Sequence, residues 1–118
     1  MNIEEIREYC LSKKGAAEGF PFDEETLVLK VKGKMFAVID LETANKLVLK
    51  CHANYALELR EQYQAIETAW HFNKKYWNQI YFDRDVPDTL IYELIDHSYE
   101  EVYKKIPRKV KEACNGLK

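Results

Sequence analysis

Two largely apolar runs, residues 27–31 and 35–41, are joined by Lys32-Gly33-Lys34, in which Lys32-Gly33 is a tight-turn signal. In the first, Leu27, Leu29 and Val31 alternate with Val28 and Lys30. Successive side chains of a strand point to opposite faces, and glycine tolerates the positive φ of a tight turn. The pattern demands an antiparallel hairpin, around which the remaining elements must be arranged. Asn45 to Cys51 reads as a third strand and Trp77 to Phe82 as a fourth.

The other segments follow a helical period. Ile3, Ile6 and Cys10 share a face of residues 2–14, with Gly15 in capping position, and Gly15 to Phe22 reads as a connector. Ala53 to Tyr63 carries Ala56, Leu59 and Tyr63 on one side. Asp85-Val86-Pro87-Asp88 opens a third helix, with Asp85 as the cap, whose stripe runs Ile91, Leu94, Ile95, Ser98, Val102. Pro107 ends it, and a short turn is expected over 108–115. Helix, three strands, helix, strand, helix predicts an α+β fold, an antiparallel sheet with helices packed on one face. At 118 residues the chain has room for one core, so residues 1–118 are expected to be a single domain.

Apolar residues make up 47% and charged residues 32%, the balance of a folded soluble domain, and no apolar run is long enough to span a bilayer. Met1 leads into acidic, polar residues, not the basic and apolar stretches of a secretory signal, so a cytoplasmic location is expected. Cys10, Cys51 and Cys114 are far apart and lack metal-ligand spacing, which predicts reduced thiols, no metal and no cofactor. His52, His71 and His97 fall on different elements without a partnered nucleophile, and no phosphate-binding glycine loop is present. Asp40, Glu42, Asp83 and Asp85 sit at strand ends and read as turn and cap acids. No enzymatic activity is expected.

Several short blocks, PFD at 21–23, KVKGKMFA at 30–37, LKC at 49–51, NKKYWN at 73–78, VPD at 86–88 and SYEEV at 98–102, occur in this order. In them the chain resembles the MmcQ/YjbR family. The resemblance implies a compact YjbR/CyaY-like domain, its antiparallel sheet carrying helices on one side. The family's usual label is DNA-binding, without agreed catalytic residues. Tyr76 stands where the family often has histidine.

The charges point to the same kind of partner. Residues 26–39, 43–57, 68–82 and 102–111 contain no acid, yet hold twelve of the eighteen basic residues. Three of these windows coincide with expected strands, so a positive sheet side and a negative helix side are expected. If Leu27, Leu29, Phe36, Val38, Leu47, Leu49, Ile80 and Phe82 face the helices, the opposite face shows Val28, Lys30, Met35, Ala37, Ile39, Lys46, Val48, Lys50, Trp77, Gln79 and Tyr81. Either this face is an open platform, or residues 64–76 or the Gly15–Phe22 connector fold over it. As a platform it would bind nucleic acid, with phosphate contacts from Lys30, Lys32, Lys34, Lys74 and Lys75 and stacking from Trp77 and Tyr81. DNA binding would then be weak and non-specific. The alternative is a module in which the aromatic segment 70–82 holds a protein or a small anionic ligand. The five bases within Lys104–Lys111 read either as a phosphate-contacting arm or as the cationic end of a helix. A monomer without membrane contact is expected.

Overall fold

The computed structural model describes residues 1–108. Its elements are α1 (Ile3–Leu11), β1 (Ala16–Gly19), β2 (Thr26–Val31), β3 (Lys34–Asp40), β4 (Lys46–Lys50), α2 (Ala53–Gln62), β5 (Ile66–Thr68), β6 (Trp77–Tyr81) and α3 (Asp88–Tyr103). The six strands form one sheet in the order β1-β2-β3-β4-β6-β5, every neighbouring pair antiparallel. This is the α+β architecture expected, with two strands more. β1 lies in what reads as a connector, and β5 precedes the aromatic segment. The turn expected over 108–115 falls, beyond Arg108, outside the described residues.

All three helices pack on one face. Ile6 and Cys10 of α1, Ala56 and Leu59 of α2, and Ile91, Leu94, Ile95 and Val102 of α3 share a core with Leu27, Leu29, Leu47, Leu49, Ile80 and Phe82. Their apolar spacing gives each helix one buried stripe, and burying it supplies most of its stability. Asn2 caps α1 by accepting the N–H of Glu5 at 2.9 Å. The helix stops at Leu11, and Gly15 takes its positive φ of 76° in the turn leading to β1. Asp85 is not the cap of α3, a position taken by Pro87. Its carboxylate instead accepts the N–H groups of Gln64 and Ala65 at 2.8 and 2.9 Å, fixing the start of β5.

One irregularity reorders the faces. Leu29 pairs with Ala37, but Lys30 pairs with Met35, so Phe36 is bulged out of register with β2. A bulge places two consecutive residues on the same side. Phe36 and Ala37 therefore both enter the helix-side core, Ile39 follows Ala37, and Val38 turns to the opposite face. The strict alternation expected through β3 is corrected accordingly: Ala37 and Ile39 exchange faces with Val38.

The bulge has a partner in α3. Extending the β3–β4 register past Ala37↔Leu49 would set Phe36 against Lys50. The Ser98 hydroxyl stands between them, accepting the Lys50 N–H at 2.9 Å and donating to the Phe36 carbonyl at 2.5 Å. A side-chain relay thus replaces a rung of the ladder, separating the start of β3 from the end of β4.

Candidate functional site at the lysine-rich end of the sheet

Within the sheet, charge divides by the ends of the strands. The β2–β3 turn (Lys32, Lys34), the end of β4 (Lys50), the approach to β6 (Lys74, Lys75) and the C-terminal end of α3 (Lys104, Lys105) lie at one end. Asp23 to Glu25, Asp40, Glu42, Asp83 and Asp85 lie at the other, where Glu25 is pushed above its ordinary range chiefly by Glu42. The helices still carry acids on their side, Glu4, Glu5 and Glu8 on α1, Glu58 and Glu61 on α2, and Glu93, Asp96, Glu100 and Glu101 on α3. The two poles therefore add to the expected division by faces. The poles are topological: the turns that hold these charges alternate between the two ends of an antiparallel sheet.

The face opposite the helices is not an open platform. Ala69 and Phe72, just beyond β5, cover Val28, Val38 and Val48, with Met35 and Trp77 packed at the margin. Of the two outcomes expected for this face, covering by residues 64–76 is the one found over its centre. Tyr81 lies towards the acidic end. Its hydroxyl donates to Glu67 at 3.2 Å, and the Arg84 guanidinium sits 4.3 Å from its ring centre. With cation and carboxylate already in place, that ring has little to offer a base. Lys30 is half-buried opposite Met35, and Lys46 pairs with Asp40 at 3.5 Å.

The remaining predicted residues come together. Lys74 lies over the Trp70 ring at 4.5 Å, and Lys75 and Lys105 approach the Tyr76 ring at 5.6 and 5.8 Å. Trp70 is 65% exposed, so this pair meets solvent. Among the described residues none of Lys32, Lys34, Lys50, Lys74, Lys75 and Lys105 has a carboxylate oxygen within 4 Å.

The 73–78 block is held rigidly for a loop. Asn73 accepts the Lys75 N–H at 3.1 Å through its side chain and the Tyr76 N–H at 3.0 Å through its carbonyl. Buried Asn78 donates to the Ala56 carbonyl at 3.1 Å. Arg60 of α2 donates to both the Asn78 side chain and the Lys74 carbonyl, each at 3.0 Å. Arg60 had no signal in sequence beyond its place on a helix. The cost of burying an unpaired amide is what requires a partner for Asn78.

Lys34, Met35, Lys50, Trp77, Val102 and Lys105 line a cleft of about 350 Å³ at this end. Lys50 is held below its ordinary range, first by burial and then by Lys105, with Glu101 opposing. Lys50 and Lys105 are the residues the sequence reading left out of its site. Cys10 and Cys51 are buried and their thiols pushed up to about 12 by that burial, which leaves them protonated and inert. Among the described residues no cluster of His, Cys, Asp or Glu is arranged to hold a metal ion, and no helix is long and apolar enough to cross a membrane.

Comparison with known proteins gives this chain and its fold a family. The YjbR family model matches residues 11–101. The chain is 32% identical over 110 residues to the uncharacterised protein YjbR of Escherichia coli K12, covering 92% of this chain and 93% of that one. The crystal structure of Deinococcus radiodurans DR2400, a DUF419-domain protein, is 34% identical with a TM-score of 0.90, over 97% of this chain and 88% of that one. A Pseudomonas syringae protein shares the fold at a TM-score of 0.72 and 20% identity, over 86% of this chain and 99% of that one. The chain belongs to the YjbR family.

Proposed function

We propose that this protein is a non-enzymatic binding domain that holds nucleic acid weakly, and without sequence preference, by the lysine-rich end of its sheet. One observation carries the reading: six lysines without a carboxylate partner among the described residues converge there around Trp70, Tyr76 and Trp77. Ammonium groups neutralise phosphates and release counterions, while exposed rings stack on bases of any identity. Lysine is a point charge; reading base edges favours the arginine fork, and this end is built of lysine. The acidic pole repels a polyanion, so the complex has one orientation.

The test is fluorescence anisotropy of a labelled oligothymidylate across a salt series. Affinity should fall with a slope of about −0.7 per phosphate contact in log units. Lys74→Glu combined with Lys75→Glu should abolish binding while the circular dichroism melt stays unchanged, because both side chains are exposed. A folded wild-type domain with no affinity at low salt overturns the reading.

A further inference from the structure

The lysine-lined cleft is built into the fold, and its contents differ from those of the surface around it. The bulge at Phe36 and the Ser98 hydroxyl relay part the start of β3 from the end of β4. Lys34 and Met35 line the cleft from β3, Lys50 from β4, Trp77 from β6, and Val102 and Lys105 from the end of α3. The wall thus carries three ammonium groups, an indole, a thioether and an isopropyl group, with no carboxylate among the described residues that line it. Burial first, and then the neighbouring Lys105, hold Lys50 below its ordinary range, and a bound anion would relieve the repulsion between the two ammonium groups. Glu101, the acid that acts on Lys50, is already engaged by Lys104.

Size and charge narrow the ligand. A cleft of about 350 Å³ is at the small end of ligand sites, roughly 300–1,000 Å³, and takes one nucleotide-sized unit, not a length of strand. Three ammonium groups match a phosphomonoester, which carries a charge of about −1.5 to −2 at neutral pH, better than a singly charged phosphodiester. Phe72 packs on Trp77 at 5.2 Å but is absent from the cleft wall, so the indole serves both the covered face and the cleft. An aromatic base fits against Trp77 and Met35.

We propose that this cleft is a subsite for a single nucleotide bearing a terminal phosphate, its phosphate held by Lys34, Lys50 and Lys105 and its base set against Trp77. The inference deepens the nucleic-acid reading and rests on it for the class of ligand. The phosphate has two sources, a free mononucleotide or the phosphorylated end of a strand.

The experiment uses the full chain carrying Trp70→Phe, which leaves Trp77 as the only tryptophan. Adenosine monophosphate and adenosine are titrated against its fluorescence. In parallel, 5′-phosphorylated and 5′-hydroxyl oligothymidylates are compared by anisotropy. The monophosphate should perturb Trp77 and adenosine should not, and the terminal phosphate should tighten strand binding about tenfold, the value of one good charge-assisted contact. Lys105→Gln, at an exposed position that leaves the fold intact, and Lys50→Met should each remove both effects. A monophosphate response without a gain from the strand end supports the cleft and assigns it to free nucleotide. A gain from the strand end alone supports it and assigns it to strand termini. Neither response, with strand binding still lost in the Lys74/Lys75 double variant, overturns the cleft and leaves the nucleic-acid reading standing. A monophosphate response with no strand binding at any salt supports the cleft and overturns the wider reading.

Discussion

The backbone N–H of His52 donates to Nε2 of His97 at 3.1 Å, joining the start of α2 to the middle of α3. Tyr55 packs edge-on against the same imidazole, with ring centres 5.1 Å apart. Accepting that hydrogen bond requires Nε2 to be unprotonated, so the link between the two helices belongs to neutral His97.

Stability should therefore depend on pH through His97. Burial holds it below its ordinary value of 6.5; Glu101 opposes this, and Lys104 and His52 add to it. On lowering pH the unfolded chain takes up a proton at the ordinary value while the folded chain resists. The unfolded state then binds more protons, and stability rises with pH across that interval. The contribution is present above 6.5 and is lost as pH falls below it. Urea midpoints at about pH 7.5 and about pH 5.5 should drop on acidification, and drop less in His97→Gln. Equal drops in both proteins would remove His97 from the account.

Ser98→Ala should destabilise the domain more than loss of one hydroxyl from a surface. The hydroxyl serves the Lys50 N–H and the Phe36 carbonyl together, and it is fully buried. Stranding both backbone groups should cost about 1–3 kcal/mol in urea unfolding. A loss within about 0.5 kcal/mol would mean that β3 and β4 close directly and the relay is dispensable.

Asn78→Leu keeps most of the volume but removes the acceptor for Arg60 and the donor to Ala56. Leaving the Ala56 carbonyl and the half-buried Arg60 guanidinium without those partners should cost about 1–3 kcal/mol. Amide hydrogen exchange at Lys74 to Tyr76 should speed up more than at α1, since Arg60 also holds the Lys74 carbonyl. Uniform acceleration along the chain would show global destabilisation, with no special hold on this loop.

The helices and the central hairpin were legible in sequence because each buries one stripe, and burial writes its period into the residue pattern. β1, reading Ala-Ala-Glu-Gly, and β5, only three residues long, are edge strands without such a stripe, and pairing alone makes them strands. The bulge was invisible for the opposite reason. Met35 to Ile39 are all apolar, so either alternation fits, and only the pairing with β2 decides which side chains share a face. Lys34, Lys74, Lys75 and Trp77 were found as a basic and aromatic group, and the topology brings them to one end. Lys50 and Lys105 lie far apart in the chain. Only the β3–β4 separation, with the end of α3 beside it, places both in the wall of one cleft. Tyr81 lies apart from this group, and its contacts with Arg84 and Glu67 were not legible because they come from a neighbouring loop and strand.

Amide chemical-shift mapping of the 15N-labelled protein with oligothymidylate at low salt tests the central claim most directly. Perturbations should be confined to Lys32–Lys34, Lys50, Trp70–Trp77 and Lys104–Lys105, and should fade as salt is added. Shifts centred on the acidic pole at Asp23–Glu25, Asp40–Glu42 and Asp83–Asp85, or no shifts at all, would contradict it.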